Sequence, residues 1–142
     1  MSVVLKVGGA STGGVAEAVA AIDEPVCVVH GAGPQISKEM AKRGLTPEFV
    51  NGRRVTTATV LEIVCESFAA VNAAVCAAIG ERAVPLAGDA IGLAALHVAE
   101  LGHVGDPIPS APPAVRAALA AGFVPVVSPL ARGPLNVNAD EM

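Results

Sequence analysis

Val26-Cys27-Val28-Val29-His30-Gly31-Ala32-Gly33-Pro34-Gln35-Ile36 is the stretch that decides the fold of this chain. An apolar run rich in β-branched residues ends in a glycine-bearing turn, and a proline then stands where a helix begins. Ile36 and Met40, four residues apart, give that helix one apolar face. A run without polar alternation suits a strand covered on both faces, as in a parallel sheet. The same order occurs once before. Val3-Val4-Leu5-Lys6-Val7 reads as a buried strand, Gly8-Gly9 ends it, and Val15, Val19 and Ile22 mark a short helix closed by Pro25. Strand, glycine turn and helix, twice over, predict parallel strands joined by crossover helices.

Downstream, Phe49 to Thr56 reads as a hairpin turning at Asn51-Gly52, the strongest short hairpin signal. Val60, Ile63, Val64, Phe68, Val71, Val75 and Ile79 mark the longest helix, from Thr57 to Ile79. Ala83 to Leu86 and Leu93 to Val98 read as short strands, and Gly102 to Pro113 as the loop-rich stretch. Ser110 and Pro112-Pro113 open a helix that carries Val115 and Leu119 and is closed by Gly122. Phe123-Val124-Pro125-Val126-Val127 is a further buried strand. Asn136-Val137-Asn138-Ala139-Asp140-Glu141-Met142 is expected at its carboxyl end, where open α/β sheets bind ligands. Asn138 suits a helix N-cap, with Asp140 and Glu141 in the first turn. No repeat and no linker divides the chain.

Composition bounds the function. The 142 residues are enough for one domain with a real core. Hydrophobic residues make up 53% and charged ones 15%, so Ala, Val and Leu must fill that core. No 18-residue run lacks charges and breakers in the manner of a membrane span. Net charge is −4 with no basic cluster, which excludes the counter-charge that nucleic acid requires. Cys27, Cys65 and Cys76 are odd in number and lie in apolar segments, as buried thiols of a reducing, cytoplasmic compartment would. No Cys or His spacing suggests a metal site.

The two glycine turns carry the chemistry. Each precedes a helix N-terminus with free backbone N–H groups, and glycine lets an anion come close to them. Lys6, inside an apolar strand, is costly to bury unless it meets an anion or reaches water at the strand end. His30 is expected to be a hydrogen-bonded structural residue without an acid–base role. Arg53 and Arg54 are adjacent on one strand and so point to opposite faces. One can fork onto a carboxylate while the other stays solvated. Neither a Walker P-loop nor a Rossmann fingerprint occurs.

Taken together, Lys6-Val7-Gly8-Gly9, His30-Gly31-Ala32-Gly33-Pro34-Gln35, Asn51-Gly52-Arg53-Arg54-Val55-Thr56, Leu101-Gly102-His103-Val104-Gly105 and Asn136-Val137-Asn138-Ala139-Asp140 resemble the amino-acid kinase family. They do so in the family's order and over nearly the whole chain. The hairpin pattern is similar to that of the acetylglutamate kinases. The resemblance implies a three-layer αβα sandwich with a mainly parallel sheet. It also implies ATP-dependent phosphorylation, with Mg²⁺, of the γ-carboxylate of N-acetyl-L-glutamate in arginine biosynthesis.

By the same resemblance, Lys6 would neutralise charge on the phosphoryl group in flight and Asp140 would orient catalytic lysines. Gly8 and Gly9 would line the transferring phosphate. Ala32 and Gly33 would supply backbone contacts to the substrate, Arg54 would clamp a substrate carboxylate and Asn136 would contact the substrate. Residues 1–142 would be the N-terminal acylamino-acid-binding lobe, with the nucleotide lobe absent and the chain alone inactive; a homo-oligomer is compatible with this. A non-catalytic acylamino-acid-binding or interaction module, and a related kinase for an aminoadipate-type substrate, are the alternatives. Two departures stand out. Ala32 replaces a turn glycine, which is feasible at negative φ, and Arg53 stands where the family normally has leucine.

Overall fold

The computed structural model describes residues 1–9 and 12–142. Its frame is a four-stranded, all-parallel sheet in the order β1-β2-β8-β5. These strands are β1 (Val3–Val7), β2 (Val26–His30), β8 (Val124–Ser128) and β5 (Ala83–Ala87). Both central strands, β2 and β8, are buried throughout, as their unalternating sequences predict.

Alternation along the strands sorts the core into two layers. Val26, Val28, Val124 and Val126 face α1 (Val15–Ala20), α2 (Gly33–Lys42) and α3 (Ala58–Ile79). Cys27, Val29 and Val127 face the other way, towards Leu86, Ile91, Leu93, Val115 of α4 (Pro113–Ala120) and the turn near Met142. The α/β sandwich with a mainly parallel sheet is therefore as expected. Thr57 caps α3 by accepting a hydrogen bond from the Val60 N–H. That helix is long and apolar enough to cross a membrane by length and composition alone. Its row Val60, Ile63, Val64, Phe68, Val71 and Val75 is instead buried in the core beside the sheet.

Four expectations need correction. β1 is an edge strand and not a buried one: Val4 is 63% exposed, and Lys6 shares its outward alternation. The strand at Leu93–Val98 is shorter and lies outside the main sheet. It is β6 (Ala95–His97), paired antiparallel with β7 (Gly105–Pro107), which the loop-rich reading had concealed. Asn136 does not follow the last buried strand directly. The chain first turns through β9 (Leu130–Ala131) and β10 (Leu135–Asn136), an antiparallel pair whose Val137 N–H donates to the Pro129 carbonyl. Of the cysteines, only Cys27 is buried, its thiol pushed up to about 11 by desolvation; Cys65 and Cys76 are half-buried.

The Asn51-Gly52 hairpin forms as predicted from β3 (Phe49–Val50) and β4 (Arg53–Arg54). Asn51 (φ 51°) and Gly52 (φ 79°) both take left-handed backbone, which a two-residue turn matched to strand twist requires.

Candidate functional site

A cavity of about 370 Å³ opens where the carboxyl ends of β1 and β2 meet the segment after β8, beneath the β3–β4 hairpin. Its floor is the pair of glycine turns. The Gly31 N–H donates to the Val7 carbonyl at 3.0 Å, and Gln35 Nε2 donates to the Gly9 carbonyl at 2.7 Å. The two turns are so close that a Cβ on Gly9 would lie 2.9 Å from Ala32 Cα. Glycine at position 9 is thus demanded by packing, whatever it does for a ligand. Ala32 is buried and sits at φ −154°, a negative φ that does not demand the glycine missing from this turn.

Arg54 reaches from β4 to the first turns of α2 and is only 7% exposed. Its Nη2 donates to the Gly33 carbonyl and to Ser37 Oγ, each at 3.1 Å, and its Nη1 approaches Met40 Sδ at 3.4 Å. The guanidinium stacks over Phe49, 4.7 Å from the ring centroid. Burial holds its pKa below the ordinary guanidinium value. Among the described residues no carboxylate is paired with it. A buried cation that meets only neutral acceptors is an electrostatic receptor for an anion.

Arg53 turns the other way, as alternation requires. It meets Asp106 Oδ1 at 2.6 Å and Glu141 Oε1 at 3.7 Å, both charge contacts without hydrogen-bond alignment, so their pull is coulombic. The expectation that one of the two arginines is merely solvated is therefore wrong.

At the opposite end of the cavity Lys6 Nζ lies 2.8 Å from Asp140 Oδ1. The structure thus brings together the two residues that the sequence placed 134 positions apart. Both side chains are largely exposed, so the pair contributes at most about 1 kcal/mol and leaves the ammonium free to turn to a ligand. Asn138 accepts from the Asp140 N–H and caps the 3-10 turn 139–141, which holds Asp140 in place. Asn136 Nδ2 donates to Thr56 Oγ1 at 3.2 Å, and Thr56 Oγ1 donates to the Arg54 carbonyl at 2.8 Å. A hydrogen-bonded chain therefore links Asn136 to the strand that carries Arg54.

His30 is fully buried below this site. Asn72 Nδ2 donates both to the Val126 carbonyl (3.0 Å) and towards His30 Nε2 (3.1 Å). His30 Nε2 must then be the acceptor, which puts the proton on Nδ1, facing the Gly31 carbonyl at 3.3 Å. The ring is neutral and structural, and desolvation lowers its pKa accordingly.

Seven of the eight residues singled out from the sequence therefore line this cavity, and Asp140 reaches it through Lys6. Sequence reasoning missed Phe49, Ser37, Asp106 and Glu141. Phe49 carried a signal, since an aromatic five residues from an arginine across a two-residue turn is its cross-strand partner. Asp106 carried none, because its contact depends on a strand pair that the loop composition hides. No group of three or more His, Cys, Asp or Glu side chains converges among the described residues, so they offer no cage for a divalent ion.

The model of the amino acid kinase family matches residues 1–142. Acetylglutamate kinase of Thermus thermophilus is 34% identical over 98% of this chain and 59% of its own length. The acetylglutamate kinase of Methanopyrus kandleri is 36% identical over 96% of this chain and 62% of its own. The chain spans about three-fifths of the length of these curated relatives. Among solved structures, smu.665 of Streptococcus mutans superposes with a TM-score of 0.86 at 23% identity, covering 99% of this chain and 64% of that one. That likeness concerns the fold.

Proposed function

The chain belongs to the amino acid kinase family, and on that premise we propose that it forms the acylamino-acid-binding lobe of an ATP-dependent kinase acting on the γ-carboxylate of N-acetyl-L-glutamate. The observation that carries this is Arg54: a nearly buried guanidinium on the wall of a small cavity, held by neutral acceptors and, among the described residues, lacking a carboxylate partner.

In this reading Arg54 takes the α-carboxylate of the substrate. Phe49 packs its guanidinium flat, and Gly33 and Ser37 fix its fork, so little rotamer freedom remains to be lost on binding. Ala32, Gly33 and Asn136 contact the substrate beside it. The γ-carboxylate points to the other end of the cavity, where Gly8, Gly9 and Lys6 stand. There the exposed ammonium of Lys6, oriented by Asp140, neutralises negative charge as the phosphoryl group arrives. ATP supplies the phosphoryl group and, with Mg²⁺ on its phosphates, the electrophile. This reading assigns the nucleotide site outside the described residues. Acceptor and donor would then meet in line across the Lys6 end, and such positioning can supply roughly 7–11 kcal/mol of the barrier.

Calorimetric titration of the protein with N-acetyl-L-glutamate, its aminoadipate homologue and ATP, each separately, tests this reading. Saturable binding of N-acetyl-L-glutamate, in preference to its homologue, without binding of ATP, is expected. ATP binding without acylamino-acid binding would overturn it. Tighter binding of the longer homologue would move the assignment to an aminoadipate-type substrate.

A further inference from the structure

Two arginines border the cavity, but their electrostatic surroundings differ. Arg54 faces no carboxylate among the described residues, whereas Arg53 faces two, on elements far from it in sequence. Asp106 belongs to β7 and Glu141 to the turn 139–141, in which the neighbouring Asp140 pairs with Lys6. The charge of Arg53 is thus already neutralised, and it adds little to the pull of the cavity on an anion. What it does add is mechanical. The hairpin is two residues per strand; backbone bonds from Thr56 to Leu101 and His103 tie its base, and side chains hold what lies beyond. Arg54 fastens one face of β4 to α2, and Arg53 fastens the other face to β7 and the terminal turn. Phe49 and Val50, the partner strand, are both exposed and contribute no core anchor.

We propose that Arg53, Asp106 and Glu141 form an electrostatic latch that holds the β3–β4 hairpin down over the cavity and so fixes the position of Arg54. Arg53 is a positioning residue, not a ligand contact. Since Arg53 is 28% and Asp106 41% exposed at the side chain, the latch is open to screening by salt. It closes or loosens with ionic strength while the buried contacts of Arg54 persist. The same turn grips Lys6 through Asp140, so the latch also ties the hairpin to the phosphate end of the site. This role rests on the hairpin being the roof of the site proposed above, but its test needs no ligand.

Hydrogen exchange of the backbone amides of residues 48–55 is measured on the unliganded 142-residue protein, with β2 and β8 as internal reference. Arg53→Leu, which removes the charge and keeps bulk, should raise exchange in the hairpin by roughly two- to fivefold, the scale of a partly exposed ion pair. Asp106→Asn should reproduce the effect, and Arg53→Lys should restore most of the protection. Raising salt to about 0.5 M should loosen the wild-type hairpin and leave that of Arg53→Leu unchanged. Unchanged hairpin exchange in both Arg53→Leu and Asp106→Asn overturns the latch, and so does a rise spread evenly over β2 and β8. Failure of N-acetyl-L-glutamate to bind would overturn the substrate assignment instead, and the exchange result would still decide the latch.

Discussion

A guanidinium that gives up water at position 54 regains three acceptors from the protein, the Gly33 carbonyl, the Ser37 hydroxyl and the Met40 sulfur, and none of them is charged. In the proposed reading the substrate carboxylate supplies the missing charge. Arg54→Lys keeps the cation but loses the planar fork and the stacking on Phe49, so it should weaken N-acetyl-L-glutamate binding by about 2 kcal/mol, some thirtyfold, measured by calorimetry. His30 is the contrasting case, a buried titratable group whose hydrogen bonds require it neutral. Its folded pKa lies below the unfolded value near 6.5, so the unfolded state binds more protons in that window. Its contribution to stability is full above about pH 6.5 and falls as the pH drops towards the depressed folded value. Chemical denaturation at pH 7.5 and 5.5 should show this decline, and His30→Gln should flatten it. Asn72→Ala leaves the Val126 carbonyl without its side-chain donor and opens a cavity, and should lower stability by about 2–3 kcal/mol in the same assay.

At the scale of elements, sequence legibility followed the strength of local signals. β2, β8, α2 and α3 were readable because a single period ran through each, and the Asn51-Gly52 turn because few residues accept left-handed backbone twice in succession. β6–β7 and β9–β10 were not readable, because strands of two or three residues have no period and are held by distant partners. The site residues followed the same division. Lys6 and the glycine turns stood out as exceptions to an apolar pattern, whereas Asp106 is one carboxylate in a loop-like segment. Gly102 shows how these small elements are stitched together. It has φ 88° and passes so close to the Thr56 carbonyl that an added Cβ would collide with backbone. The bonds around it, Thr56 N–H to the Leu101 carbonyl and His103 N–H to the Thr56 carbonyl, join the hairpin to the β6–β7 unit. Gly102→Ala should therefore cost more than about 2 kcal/mol in thermal unfolding, combining left-handed strain with the clash. It should also reduce ligand binding, since Thr56 is the partner of Asn136.

Across the whole molecule the parallel sheet gathers every candidate residue at one end, because the turns after β1 and β2 and the segment after β8 all leave the sheet there. The two edges of that sheet differ. β5 carries Pro85, which removes a donor and blunts pairing. β1 carries only Lys6 as a charge and no proline, and its exposed Val4 adjoins an apolar groove containing Leu93, Ile108 and Met142. The 142-residue protein should accordingly self-associate with rising concentration, and a concentration-independent species in sedimentation would contradict that. On the proposed reading, in which this lobe takes the acceptor and not the donor, it should also show no acetylglutamate-dependent release of ADP. That second expectation depends on the cavity being an acylamino-acid site organised by Arg54, a buried arginine without a carboxylate partner among the described residues. The most direct test is calorimetric titration of the wild-type protein and Arg54→Ala with N-acetyl-L-glutamate, with near-native circular dichroism required of the variant. Saturable one-to-one binding to the wild type, lost in Arg54→Ala, is the result this account predicts. Absence of binding to the wild type, or equal binding by both proteins, would contradict it.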